Sequence, residues 1–252
     1  MSFDVAAHSY GRFMGRYSEP LAARFVDVVG ARSGQRALDV GAGPGALTAP
    51  LADRLGAARV CAIEPSEPFV EALRARLPGV EVRRASAESI PFPDDSFDLA
   101  LAQLVVHFMA DPVGGLTEMA RVTAEGGTVG ASVWDYRGER GPLSLFWRAA
   151  TDLAPQVENE SGLAGAREGH LRELFVAAGL HEIRDDALTV SVPYSDLDDW
   201  WEPYTLGVGP AGAYVAGLDP DHRAALRERC GELLGTGPGT TEATAWYALG
   251  TA

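Results

Sequence analysis

One segment of this 252-residue chain is best suited to chemistry: its glycines alternate with other residues between a short apolar run and a helical pattern. Residues 37–40 are apolar apart from one acid, and the segment that follows consists of Gly41, Ala42, Gly43, Pro44 and Gly45. A strand, a glycine turn and a helix in this order bring backbone N–H groups against a nucleotide-like ligand. The pattern predicts a cofactor-binding loop, although the same turn can also join a strand to a helix with no ligand.

Two acidic residues lie where the strands next to this loop are predicted to end. Asp39 comes just before the first glycine, and Glu64 follows a second apolar run, 25 residues after Asp39. An anion at Asp39 would repel a pyrophosphate, whereas it suits an ammonium or sulfonium group. A carboxylate at Glu64 can accept hydrogen bonds from both hydroxyls of a ribose. The spacing G-x-G-x-G also differs from the G-x-G-x-x-G that dinucleotide enzymes typically use.

The chain at this point resembles the class I S-adenosylmethionine (SAM) dependent methyltransferases, most closely the methyltransferase type 11 group, which includes the ubiquinone and menaquinone C-methyltransferases. LDVGAGPG at 38–45 matches the first motif of the family, and CAIEPS at 61–66 matches the second. Residues 85–103 resemble the third and fourth motifs, and 118–134 look like the helix and fifth strand of the cofactor half. The resemblance covers about residues 10–135. It implies SAM as the cofactor and S-adenosylhomocysteine as the product.

The resemblance also implies which residues hold the cofactor. In the family an Asp commonly accepts the adenine amino group at the position of Ser86, so that contact is weaker or moved here, while the Ala87 N–H remains available. Tyr10 and Arg16 are candidates to meet the methionine carboxylate, although their helix could also pack on the sheet with its arginines in solvent. The predicted cofactor residues are Tyr10, Arg16, Asp39, Gly41, Ala42, Gly43, Gly45, Glu64, Pro65, Ser86, Ala87, Glu88, Gln103 and Leu104.

The fourth predicted strand leads into residues 103–107, QLVVH. This stretch lacks the Asn-Pro-Pro-Tyr-like turn of DNA and protein-amide N-methyltransferases, and the chain lacks the carboxylates and Asp-Asn pair of catechol-type enzymes. It therefore predicts direct displacement without a metal ion. His107 lies just past the strand, near where the methyl group should point. It is a candidate general base or a structural histidine that caps the following turn.

Aromatic residues gather in the segments outside the predicted sheet. Clustered Trp and Tyr over a cofactor site indicate a flat or apolar small substrate, although the packing of a lid would use the same residues. His170 is a second candidate base or only a residue at a helix start. The predicted substrate residues are Trp134, Tyr136, Trp147, His170, Trp200, Trp201 and Tyr204.

The order of the patterns along the chain predicts an α/β fold with a doubly wound sheet, because strands and helices alternate. The predicted strands are 36–40, 59–63, 80–84, 98–103 and 127–134, and the predicted helices are 44–55, 66–77 and 112–123. Two more strands are expected at 181–192 and 240–249. In the family they form an antiparallel edge, which implies a seven-stranded sheet of order 3-2-1-4-5-7-6.

A single methyltransferase domain is expected over 1–252. Its core comprises about 31–134 together with 181–192 and 240–250, and its lid comprises 1–30, 135–170 and 194–238. The lid segments should gather over the carboxyl edge of the sheet and form the substrate chamber.

Composition narrows the class of partner. The formal net charge of −14 argues against nucleic acid as a substrate, since phosphates require a basic track. No apolar run approaches 20 residues and no signal peptide is evident, which predicts a cytoplasmic protein without membrane insertion. We expect a small-molecule substrate and a monomer or homodimer. A SAM-binding regulator without catalysis and an NAD(P)-dependent oxidoreductase that uses the same glycine loop remain as alternatives.

Overall fold

A seven-stranded sheet of order 3-2-1-4-5-7-6 forms the centre of the computed structural model, which describes residues 7–252 and the side chains of 9–252. The strands are β1 (Ala37–Val40), β2 (Val60–Glu64), β3 (Glu81–Arg84), β4 (Phe97–Gln103), β5 (Thr123–Trp134), β6 (His181–Tyr194) and β7 (Gly239–Thr251). The first five pair in parallel, and β7 pairs antiparallel with both β5 and β6. The predicted strand order is confirmed.

Helices connect and cover these strands. Their bounds are α1 (Ala7–Tyr10), α2 (Arg16–Val29), α3 (Thr48–Leu55), α4 (Glu67–Arg76), α5 (Pro112–Val122), α6 (Ser144–Leu153), α7 (His170–Ala177), α8 (Leu197–Trp201), α9 (Gly209–Gly217) and α10 (Pro220–Leu234). A π-helical turn at Gly11–Gly15 joins α1 to α2, and 3-10 turns occupy Ala57–Arg59, Val106–Phe108, Glu160–Gly162 and Glu202–Leu206. Within the described part of the chain, no helix is both long and apolar enough to cross a membrane.

The helix predicted at 44–55 begins four residues later than expected, at Thr48. Gly43 and Gly45 have φ values of 53° and 95°, which lie in the left-handed region and cannot continue a right-handed helix. The residues between β1 and Thr48 therefore form turns, and the loop that faces the candidate cofactor site is longer than the sequence pattern indicated.

The two faces of the sheet are buried by different helices. Phe25 of α2, Leu51 of α3 and Leu73 of α4 pack in one cluster with strand residues, while Leu116 of α5 and Phe175 of α7 pack in a second cluster. Successive side chains of a strand point to opposite faces, so each strand contributes to both clusters. Burying one such side chain stabilises the fold by about 1.5–3 kcal/mol.

A third cluster, the lid core, joins the lid segments to the ends of β5, β6 and β7. Trp134, the last residue of β5, packs there with Phe146, Trp200 and Tyr204. The rings of Phe146 and Tyr204 are stacked with their centroids 4.7 Å apart. This shared core fixes the lid against the carboxyl-terminal end of β5.

Candidate functional site

The glycine loop is attached to the end of the neighbouring strand. The N–H groups of Gly41 and Ala42 both donate to the carbonyl of Ile63, at 2.8 and 3.0 Å. A β-carbon on Gly41 would lie 2.6 Å from Val105, and one on Gly45 would lie 2.6 Å from Leu73. These two glycines are required by packing within the protein.

Gly43 differs from its two neighbours in the loop. Among the described residues, none fills the space beside Gly43, so its missing side chain leaves room for a ligand.

Gly43 lines a large cleft, termed the glycine-loop cleft below, which contains about 670 Å³ of empty space, part of it open to solvent. It is lined by Tyr10, Ser18, Asp39, Gly41, Ala42, Gly43, Pro44, Ala46, Leu47, Glu64, Pro65, Phe69, Gln103, Leu104, Val105 and Phe108. Most of the predicted cofactor residues are thus brought together here; sequence reasoning missed Ser18 and Phe69.

The two predicted acids form part of one wall of the cleft. Asp39 is buried and accepts a hydrogen bond from Thr48 Oγ1 at 2.6 Å, and burial raises its pKa to about 7. Glu64 accepts hydrogen bonds from the N–H groups of Gly43 and Ser66, each at 2.9 Å, while burial raises the pKa of its carboxyl. Desolvation favours the neutral form of both acids, so a cation or a set of O–H donors bound here would favour their ionised forms.

Two further acceptors in the cleft have no hydrogen-bond partner among the residues that the structure describes. Gln103 donates from Nε2 to the carbonyl of Ser18 at 3.0 Å, which leaves its Oε1 directed elsewhere. Gln103 Oε1 and Ser18 Oγ are buried without a hydrogen bond. Buried polar atoms are nearly always paired, and leaving one unpaired costs about 1–3 kcal/mol. A ligand that carries N–H donors would satisfy them.

Leu104 stands where the cleft meets a second cavity. Its φ is 62°, a left-handed value that is rare for a bulky residue, and its N–H donates to Ser132 O at 2.8 Å. Such strain costs about 1–3 kcal/mol and is found mostly at functional sites. The turn at Leu104 ends β4 and directs the following residues across the mouth of the cleft.

The second cavity, termed the aromatic cavity, contains about 390 Å³ of empty space. It is lined by Tyr10, Phe13, Met14, Leu104, His107, Phe108, Trp134, Tyr136, Leu143, Glu160, Val208, Gly209 and Pro210. Tyr10, Leu104 and Phe108 line both cavities, so the two adjoin at these residues. A molecule in one cavity would face a molecule in the other across this shared boundary.

His107 lies in the wall of the aromatic cavity. Its ring centroid is 3.9 Å from that of Phe108 and 5.9 Å from that of Tyr136. Burial lowers its pKa to about 3, and over the described part of the chain its Nδ1 has no hydrogen-bond partner. The imidazole is therefore neutral at physiological pH, with one ring nitrogen free to accept or donate a hydrogen bond.

Glu160 is a second ionisable residue in the same wall, and sequence reasoning missed it. It is only 5% exposed, accepts a hydrogen bond from Trp147 Nε1 at 2.9 Å, and also bonds to the side chain of Tyr136. Burial raises its pKa to about 7. Glu160 belongs to a short 3-10 turn capped by Asn159, in a segment with no periodic pattern that could have marked it.

The predicted substrate residues divide between the cavity and the lid core. Trp134 and Tyr136 line the aromatic cavity. Trp200, Trp201 and Tyr204 are buried in the lid core, as is Trp147, which contacts the site through Glu160. His170 begins α7, where its Nδ1 accepts a hydrogen bond from Gly165 N at 3.2 Å.

The remaining predicted cofactor residues lie away from the cleft wall. Arg16 donates to Pro193 O and Asp199 O and lies 3.8 Å from the Asp199 carboxylate, so it joins α2 to the lid. Ser86 is exposed and Ala87 is buried in the sheet core. Glu88 accepts a hydrogen bond from Ala110 N at 2.8 Å. The roles assigned to these residues stay predictions.

Over the described part of the chain, no group of three or more His, Cys, Asp or Glu residues is arranged to hold a metal ion. Cys61 and Cys230 are buried free thiols.

Comparison with known proteins agrees with this architecture. Residues 38–130 match the family described as a methyltransferase domain. An uncharacterized methyltransferase of Mycobacterium tuberculosis is 38% identical over 140 residues, which make up 56% of this chain and 54% of the relative. The chain thus matches about half the length of that protein.

A second relative and a solved structure extend the comparison. Aklanonic acid methyltransferase DauC of a Streptomyces species is 31% identical over 162 residues, or 62% of this chain and 73% of DauC. The crystal structure of a SAM-dependent methyltransferase of Thermotoga maritima, described as a possible histamine N-methyltransferase, has a TM-score of 0.55 and 21% identity. That alignment covers 97% of this chain and 98% of the other.

The sheet order and the likeness to that structure show a class I methyltransferase fold. The identity to DauC, over 73% of its length, shows that the chain belongs to the methyltransferase family, and the domain match agrees.

Proposed function

We propose that this chain transfers the methyl group of SAM to a small apolar or aromatic molecule. The observation that carries the proposal is the pair of adjoining cavities. The glycine-loop cleft is rich in acceptors and backbone, the aromatic cavity is rich in rings, and the two share Tyr10, Leu104 and Phe108. A methyl donor in the first would face an acceptor in the second.

The residues of the cleft fit SAM. Glu64 would accept the ribose hydroxyls, at the price of competing with the two loop N–H groups that it now holds. Asp39, Gln103 Oε1 and Ser18 Oγ would accept from the ammonium of the methionine part, which pairs two otherwise unsatisfied atoms. SAM supplies a methyl group that is already activated by its sulfonium.

The protein's own contribution is alignment and exclusion of water. Holding two reactants in line can supply roughly 7–11 kcal/mol of the barrier. The rings around the aromatic cavity keep the reacting pair dry, and the strained backbone at Leu104 fixes the boundary between the two molecules. His107 is neutral, so it can accept a hydrogen bond from the nucleophile. This mechanism requires no metal ion, and the carbon, nitrogen or oxygen identity of the nucleophile is left open.

We also propose that the partner is a small molecule rather than nucleic acid. The net charge of −14 opposes binding to phosphates, and the wall of the aromatic cavity is formed by aromatic and apolar side chains rather than by lysines or arginines.

The test is transfer of a labelled methyl group from SAM to a panel of small metabolites, with Glu64→Ala as the impaired control. We expect turnover of at least one apolar or aromatic compound by the wild type and much weaker turnover by the variant. SAM binding without any turnover on a broad panel would instead indicate a SAM-binding regulator. Binding of NADH in place of SAM would indicate an oxidoreductase.

A further inference from the structure

Glu160 is a buried carboxyl group at a cavity that is lined mainly by aromatic and apolar side chains. It faces the aromatic cavity on one side and an outer groove on the other, since it lines both. Its partners are Trp147 Nε1 and the side chain of Tyr136, both of which are neutral. Two neutral donors do not balance a negative charge.

Among the described residues, no cation forms an ion pair with Glu160. Two arginines border the same outer groove: Arg148 pairs with Glu139 at 3.4 Å, and Arg137 is exposed and forms no ion pair with Glu160. His107, in the wall of the same cavity, is neutral. A buried carboxylate without a cation is costly, so a positive charge on a bound ligand would stabilise the ionised form of Glu160.

The rest of the cavity also favours a positively charged ligand. Phe13, Phe108, Trp134 and Tyr136 contribute aromatic rings to its wall. The face of such a ring is negative and attracts a cation, most strongly where water is excluded. A carboxylate together with aromatic faces is a combination that binds an organic ammonium ion, whereas a purely apolar acceptor would gain nothing from the carboxylate.

We propose that Glu160 binds a protonated amine of the methyl acceptor, so that the acceptor is an amine on an aromatic or apolar frame. The inference rests on the proposed function, because it assigns the aromatic cavity to the acceptor. Glu160 is a specificity-determining residue in this assignment, and no bond is made or broken at its carboxyl group.

The test compares amines with neutral molecules of the same shape. Wild-type protein saturated with S-adenosylhomocysteine is titrated calorimetrically at pH 8 with 2-phenylethylamine and tryptamine, and in parallel with 2-phenylethanol and tryptophol. We expect each amine to bind at least about tenfold more tightly than its alcohol, as a charge-assisted hydrogen bond allows. Glu160→Gln should reduce that ratio to about one.

Glu158→Gln is the matched control, because Glu158 is an exposed acid two residues away. It should keep the preference for amines. Equal binding of amines and alcohols by the wild type, or no binding of either amine, would overturn the inference, and so would a preference that survives in Glu160→Gln. The wild-type comparison decides the matter even if Glu160→Gln fails to fold.

The same titrations separate this inference from the proposed function. If S-adenosylhomocysteine itself does not bind, the proposed function fails. If it binds and the preference for amines is absent, only the role of Glu160 fails.

Discussion

The glycine-loop cleft and the aromatic cavity are built in different ways. The cleft is formed largely by the loop after β1 and by the end of β2: ten of its sixteen lining residues lie between Asp39 and Phe69, and many act through the backbone. The aromatic cavity is assembled from side chains as far apart as Phe13, His107, Glu160 and Val208. A short motif can therefore specify the cofactor, whereas the acceptor depends on lid residues that can change without disturbing the cleft.

Burial acts on the ionisable groups of both regions in the same sense. It raises the pKa of Asp39 and Glu160 to about 7 and lowers that of His107 to about 3, so every one of these groups is pushed toward its neutral form. Variants of the cleft should alter SAM binding, and variants of the cavity should alter turnover or acceptor binding. The predictions below test that division.

The largest effect on the cleft is expected from Glu64→Ala. The variant loses a charged acceptor and should weaken SAM by roughly 2–4 kcal/mol, or about 30- to 900-fold. Because Glu64 also holds Gly43 N and Ser66 N, the melting temperature of the ligand-free variant is measured beside the calorimetric affinity. Glu67→Ala is the control, because Glu67 is a nearby acid that begins α4 and pairs with Arg84. A loss of SAM affinity below twofold would remove Glu64 from the ribose site.

His107→Ala should affect turnover and leave SAM affinity nearly unchanged, since His107 lines the aromatic cavity and not the cleft. A general base contributes about 10²- to 10⁴-fold, and a weakly basic imidazole should lie near the lower limit. With a pKa of about 3, the wild-type rate should show no histidine limb near pH 6.5. Wild-type turnover by the variant over pH 6–9 would exclude a role in proton transfer. A parallel loss of SAM affinity and melting temperature would indicate a structural role.

Gly43→Asn probes the space reserved for the cofactor. Asn tolerates left-handed backbone, and a β-carbon at Gly43 meets no atom of the described residues, so the variant should fold. Crowding of a packed site costs about 1–3 kcal/mol, which predicts SAM binding weaker by about 5- to 150-fold. Gly30→Asn, at an exposed left-handed glycine after α2, is the matched control. Equal affinity in both variants would mean that SAM does not approach Gly43.

The smallest effect is the pH dependence that Asp39 confers. Its pKa of about 7 in the folded protein lies above the ordinary value of about 3.9, so its contribution to the stability of the ligand-free protein falls as pH rises between about 4 and 7. A bound cation favours the ionised form, so SAM affinity should rise with pH, by up to about tenfold between pH 6 and 8. Calorimetry across that range should find proton release in the wild type. Asp39→Asn should lose most of it, with a smaller part left from Glu64. An affinity that falls with pH would contradict the cationic ligand.

Much of the fold and of the cleft could be predicted from sequence. The alternation of strands and helices and the resemblance to the family yielded the strand order, because parallel strands and glycine turns leave local patterns. The start of α3 was misplaced, since left-handed backbone at Gly43 and Gly45 is not visible in an apolar periodicity. Ser18 and Glu160 were missed for another reason. Each reaches its cavity only through contacts between distant segments, which no local spacing records.

The central claim, that the glycine-loop cleft binds SAM, is tested most directly by calorimetric titration of the wild type with S-adenosylhomocysteine and, separately, with NADH. The account predicts saturation by S-adenosylhomocysteine at one site per chain and no binding of NADH. Binding of NADH with no binding of S-adenosylhomocysteine would contradict it.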